Sequence, residues 1–230
     1  MARILTRREA LVGVSSTLLL PLGCSQSSAP DTASDAIYLH GVASGDPDST
    51  SVVIWTRVSN SSGMTGVAWR VATDADFQNV IARGKASTDE GRDHTVKVVV
   101  NGLSAGQEYF YQFDVDGIMS PTGRTRTLPT GHVDRLVIAV ATCSNYAFGY
   151  FNAYEAIAND SAIDLVVHLG DYIYEHGRES YAGETGRRIG RNHEPSHEAL
   201  TLVDYRQRFA QYKTDAGSKA MHGQHPMVVI

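Results

Sequence analysis

The sequence predicts a β sandwich followed by an α/β domain, with the junction near residues 130–134. Three observations predict it. Between residues 37 and 130, short alternating segments are separated by turn signals. Beyond residue 134, two short apolar runs, 136–141 (LVIAVA) and 163–169 (IDLVVHL), read as buried parallel strands. Between those runs, residues 150–160 are long enough for a crossover helix, with Phe151, Tyr154, Ile157 and Ala158 on one face.

The chain has 230 residues, 42% hydrophobic and 20% charged, enough for one large domain or two ordinary ones. The net charge is -5 and no basic stripe stands out, so nucleic-acid binding is not expected. The two cysteines, Cys24 and Cys143, lie in contexts too different for a structural disulfide. No apolar span reaches the length of a transmembrane helix.

Residues 1–24 read as a signal peptide, with a basic start (MARILTRREA) followed by an uncharged stretch. The Arg7-Arg8 pair resembles a twin-arginine export signal, which implies the twin-arginine machinery as a partner. The other reading is an ordinary secretory signal that contains two arginines. Cys24 follows Leu-Pro-Leu-Gly, which resembles a lipoprotein box, although Pro21 departs from it. Cys24 is therefore a candidate lipidation site and membrane anchor, and the alternative is cleavage without lipid. The expected location is exported, periplasmic or anchored to the cell envelope. Residues 25–36 (SQSSAPDTASDA) are small and polar and read as a flexible tether.

In the region 37–130, four segments read as strands: 51–58 (SVVIWTRV), 67–72 (VAWRVA), 94–100 (HTVKVVV) and 109–115 (YFYQFDV). Turns fall at Gly45-Asp46-Pro47, Ser62-Gly63, Asn101-Gly102 and Asp116-Gly117. Strands at this spacing suggest an antiparallel sandwich. The segment 103–109 (LSAGQEY) resembles the corner of a fibronectin type III or Ig-like domain, with Tyr109 bonding back to the backbone.

In the region 134–230, the two apolar strands each stop at a potential metal ligand, Cys143 and Asp171, with Tyr174 three residues on. A β-α-β unit puts both strand ends on the sheet edge where ligands bind in open α/β folds. Alone, Cys143 reads as a small core residue, Asp171 as a turn or helix cap, and Tyr174 as packing. Together they read as a metal centre, because a carboxylate bridges cations while thiolate and phenolate favour a ferric ion. Residues 175–194 form a long polar stretch carrying Arg178, Arg187, Arg188 and Arg191. One of these arginines could hold a phosphate; the plainer reading is a solvated loop. Residues 197–213 read as a helix whose apolar side is Leu200, Val203, Tyr205, Phe209 and Tyr212, and 216–224 as another short helix. The run 226–230 (PMVVI) begins a further strand. His168 belongs to the core, and no histidine is assigned as a ligand.

Gly170-Asp171-Tyr172-Ile173-Tyr174 matches the GDxxY block of the purple-acid-like calcineurin metallophosphoesterases. More narrowly, the chain resembles the PhoD-like alkaline phosphatase and phosphodiesterase family. The blocks HGVASGDP (40–47) with IWTRV (54–58), ATCSN (141–145) and TLVDYRQRFAQYKTD (201–215) carry that resemblance. It implies a partial metallophosphoesterase domain in which Cys143 binds Fe3+, Asp171 bridges it to Ca2+, and Tyr174 adds a phenolate to the iron. It also implies a phosphate ester substrate and hydrolysis at the metal centre. Later ligand blocks of the family, one reading approximately Trp-Asp-Asp-His-Glu, would come after Ile230. The chain is thus expected to be C-terminally truncated, with an incomplete site whose activity is open. Competing readings are a phospholipase D-type phosphodiesterase and a non-catalytic, envelope-tethered binding protein.

Overall fold

The computed structural model describes residues 32–59 and 61–230. The expected signal peptide, Cys24 and most of the expected tether lie outside them. The tether's last residues depart from expectation, because Thr32–Ile37 form a short helix, α1. Ser34 Oγ donates to the carbonyl of Met119 at 2.7 Å, and just beyond the helix Tyr38 Oη donates to that of Ile118 at 3.0 Å. Those anchors, rather than local propensity, give so short a helix its place.

Among the described residues, eleven strands form two sheets. The first holds β1 (Val42–Gly45), β2 (Ser51–Arg57), β5 (Thr95–Asn101), β9 (Ile138–Ala141), β10 (Leu165–His168) and β11 (Pro226–Val229), in the order β5-β2-β1-β11-β10-β9. The second holds β3 (Thr65–Ala72), β4 (Val80–Thr88), β6 (Glu108–Val115), β7 (Ile118–Met119) and β8 (Gly123–Arg126). Every strand pairing within the second sheet is antiparallel.

Alternation puts Val42, Val52, Ile54, Val96 and Val100 on one face of the first sheet, against Val67, Val71, Tyr111 and Phe113 of the second. This is the larger core. Tyr109 behaves as the sequence predicts: its hydroxyl accepts from the backbone N–H of Ser104 at 2.8 Å. Strand β4 was not legible in the sequence, because most of its residues face solvent or are only half-covered at the sheet's edge.

The first sheet does not stop at residue 130. β1 pairs in parallel with β11, Ser44 opposite Pro226 and Gly45 opposite Met227. β11 pairs in parallel with β10, and β10 with β9. One hydrogen-bonded ladder therefore runs through strands from both predicted regions. Helix α2 (Asn152–Ala158) is the crossover between β9 and β10, and α5 (Ala216–Gln224) packs beside it. Tyr154, Ile163, Val166 and Met221 centre this second core, with Phe151 and Ile157 against it.

Three expectations are corrected. The run at 136–141 is not buried on both faces, since Ile138 and Val140 are 45% and 61% exposed. β9 lies at the sheet's end, and only the face bearing Val137, Ala139 and Ala141 is covered. The helix expected at 197–213 is α4, Leu202–Lys213, begun by a capping box between Thr201 and Asp204. Its buried residues are Arg208, Tyr212 and Lys213, while Leu200, Val203 and Tyr205 face solvent. Finally, the stretch 175–194 contains α3, Gly183–Ile189. Among the described residues, no helix is long and apolar enough to cross a membrane.

Candidate metal centre

Strands β9 and β10 run parallel, with Val167 opposite Val140 and His168 opposite Ala141. Parallel register brings both strand ends to one edge, so the segments 142–144 and 170–174 leave side by side. Backbone bonds stitch them together. The N–H of Cys143 donates to the carbonyl of Gly170 at 3.3 Å, and that of Ser144 to the carbonyl of Asp171 at 2.9 Å.

Turning sharply out of a strand demands unusual backbone angles. Gly170 takes φ +100°, open to glycine because it lacks Cβ. Cys143 and Asp171 adopt φ +59° and +51°, left-handed values that non-glycine residues seldom take. Such positions cluster at functional sites, where the surroundings hold them.

The three predicted ligands converge. Cys143 Sγ lies 3.4 Å from Asp171 Oδ2, and Tyr174 Oη donates to the same oxygen at 3.0 Å. Cys143 is a free, exposed thiol and Asp171 is exposed. The phenol of Tyr174 is held well above its ordinary pKa, first by loss of solvent and then by Cys143 and Asp171. Those neighbours hold the Tyr174 phenol in its protonated form, and a bound cation would reverse that. Thiol, carboxylate and phenol are a donor set that fits a metal ion. Among the described residues, no three His, Cys, Asp or Glu side chains gather around one point, so the cluster reaches three donors only through its tyrosine.

A buried polar layer supports the site. His168 is fully buried, and its Nε2 lies 2.8 Å from Tyr154 Oη and 3.1 Å from Ser144 Oγ. Burial pulls its pKa down despite the nearby Asp171. His168 thus supports the loop beneath the site, in keeping with its expected core position. Tyr172, beside Asp171, bonds His222 Nε2 at 2.8 Å.

Sequence reasoning missed the role of Arg208. It is fully buried and donates to the carbonyls of Glu194 (2.8 Å), Pro195 (3.1 Å) and Tyr174. It ties the backbone of a candidate ligand to the loop opposite. Of the arginines in 175–194, Arg187 and Arg188 are exposed as expected, whereas Arg178 is half-buried and Arg191 buried. Arg178 pairs with Glu194, Arg187 with Glu179, and Arg191 with Asp215 at 2.9 Å. Arg191 also stacks on Tyr146, 3.7 Å from the ring centre. The signal for these partners lay in positions distant in sequence.

A family model described as the PhoD-like phosphatase N-terminal domain matches residues 23–129, and one described as PhoD-like phosphatase matches residues 138–230. The chain belongs to the PhoD-like phosphatase family. It is 40% identical over 223 residues to alkaline phosphatase D of Bacillus subtilis (strain 168), covering 93% of this chain and 38% of that protein. A solved structure of PhoD matches with TM-score 0.80 and 40% identity, over 88% of this chain and 40% of that one. The chain thus spans about two fifths of the length of these PhoD relatives. The mixture of β-sheet and helices described above agrees with the PhoD fold.

Proposed function

We propose that this PhoD-like protein hydrolyses phosphate esters at a centre held by Cys143, Asp171 and Tyr174, with Fe3+ and Ca2+ as its cofactors. The observation that carries the reading is the meeting of a thiol, a carboxylate and a phenol at two adjacent strand ends. Cys143 Sγ and Tyr174 Oη both meet Asp171 Oδ2, so these three residues would hold the metal. When bound, such ions neutralise phosphate oxygens and make hydroxide available at neutral pH. The chain's own contribution is position. The strand ends fix Cys143 and Asp171, Arg208 fixes the backbone of Tyr174, and His168 supports Ser144 below.

The chain is exported through the twin-arginine route and held at the cell envelope, with Cys24 as lipid attachment point. The N-terminal sheets are a fibronectin III or Ig-like sandwich, supported by the corner bond of Tyr109.

The test compares hydrolysis of p-nitrophenyl phosphate and its bis ester by the metal-loaded protein, the chelated protein and Asp171→Ala. Loss of turnover in the last two, with restoration of the chelated sample by metal, supports the centre. Unchanged turnover in Asp171→Ala overturns it.

A further inference from the structure

Beside the candidate centre lies a row of aromatic rings that neither core uses. Tyr174 stacks near His176 with ring centres 6.1 Å apart and planes at 25°. Tyr181 meets His176 edge-on at 5.2 Å and lies 6.1 Å from Tyr174. Phe148 meets Tyr181 edge-on at 5.0 Å. Phe148 is 49% exposed and Tyr181 51% exposed. A cluster of large rings left half in water is informative where a single exposed ring is not.

The row is built rather than loose. Phe148 ends a tight turn, Tyr146–Phe148, whose Asn145 side chain accepts from the N–H of Ala147. Tyr181 precedes α3, and that helix packs on the same turn. Ala182, the next residue, takes the left-handed φ of +67°. At Gly183 an added Cβ would lie 1.8 Å from the carbonyl oxygen of Arg178, so the backbone there has one way to pass. Tyr174 belongs both to the row and to the metal-binding cluster, so the aromatic surface begins where the reacting phosphate would sit.

We propose that Phe148, His176 and Tyr181, continued by the ring of Tyr174, seat a planar aromatic group on the phosphate ester. They are specificity-determining residues: they touch the organic part of the substrate, not the phosphate. The proposal rests on the phosphoesterase reading above. Offset and edge-on contacts with a flat ring add to area burial, whereas an alkyl group offers only area.

The test uses two non-hydrolysable probes, phenylphosphonate and methylphosphonate, titrated calorimetrically into the metal-loaded full chain. The phenyl probe is expected to bind roughly tenfold more tightly, the order expected for one good ring contact. Tyr181→Leu, which keeps apolar bulk without a ring, should bring the ratio of the two dissociation constants close to one. Tyr181→Phe should keep the ratio and show that the position tolerates substitution. Equal affinities in the unsubstituted protein, or an unchanged ratio in Tyr181→Leu, overturn the proposal while leaving the metal centre standing. Failure of both probes to bind the unsubstituted protein removes the phosphoesterase reading, and this proposal with it.

Discussion

Cys143 Sγ and Asp171 Oδ2 lie 3.4 Å apart although 28 residues separate them in the chain. The register of β9 against β10, which sets Ala141 opposite His168, produces that distance. If the pair grips one ion, Cys143→Ser should lower iron affinity by about tenfold to a hundredfold, since a hydroxyl is a poorer donor for that ion. Metal content measured after dialysis against a competing chelator checks this. Full iron retention would remove the thiol from the ligand set.

Tyr174→Phe removes the phenol and leaves the ring. The ferric form of the unsubstituted protein should absorb visible light through phenolate-to-iron charge transfer, and the variant should lose that band. A band that survives the substitution assigns the colour to another group.

Arg208→Met should destabilise the fold by about 3 kcal/mol, because three carbonyls lose a charged donor inside the protein. Urea unfolding monitored by circular dichroism gives the value. A change within about 0.5 kcal/mol, the range of ordinary surface substitutions, would show the carbonyls to be satisfied without it.

Acid should weaken the fold in a definite window. Burial, with nearby Arg57 for His40 and Arg208 for His193, holds both histidines at a pKa of about 4 against the usual 6.5. Above pH 6.5 folded and unfolded chains are both neutral at these sites, and pH has no effect through them. Between pH 6.5 and 4 the unfolded chain takes up protons that the folded chain refuses, so stability falls as pH falls. Urea midpoints at pH 7.5 and pH 5 test the sign, and a flat response would remove these two groups from the balance.

Tyr109→Phe should cost about 1 kcal/mol, the worth of one half-buried hydrogen bond to the N–H of Ser104. Thermal unfolding with and without the hydroxyl measures it. An unchanged midpoint would show that solvent satisfies that N–H.

The candidate ligands were legible because parallel strands appear as apolar runs, and the residues at the end of each run are forced to one edge. Gly170-Asp171 and Cys143 needed no knowledge of distant contacts. The pairing of β1 with β11 was illegible for the opposite reason: neither strand carries a local mark of its partner. Arg208 was missed because a charge within an amphipathic helix reads as solvated, and only its three distant carbonyls say otherwise. The exposure of Ile138 and Val140 was missed because an apolar run tells that a strand prefers cover, not that each face receives it.

The order in which the first sheet is threaded bears on its assembly. β11, the last described strand, sits mid-sheet between β1 and β10. While a nascent chain still lacks residues 226–229, β1 and β10 each show an unpaired rim ready to recruit foreign strands. Late closure by sequence-distant partners also slows the search for the native state. Aggregation during synthesis should therefore be most acute just before β11 inserts.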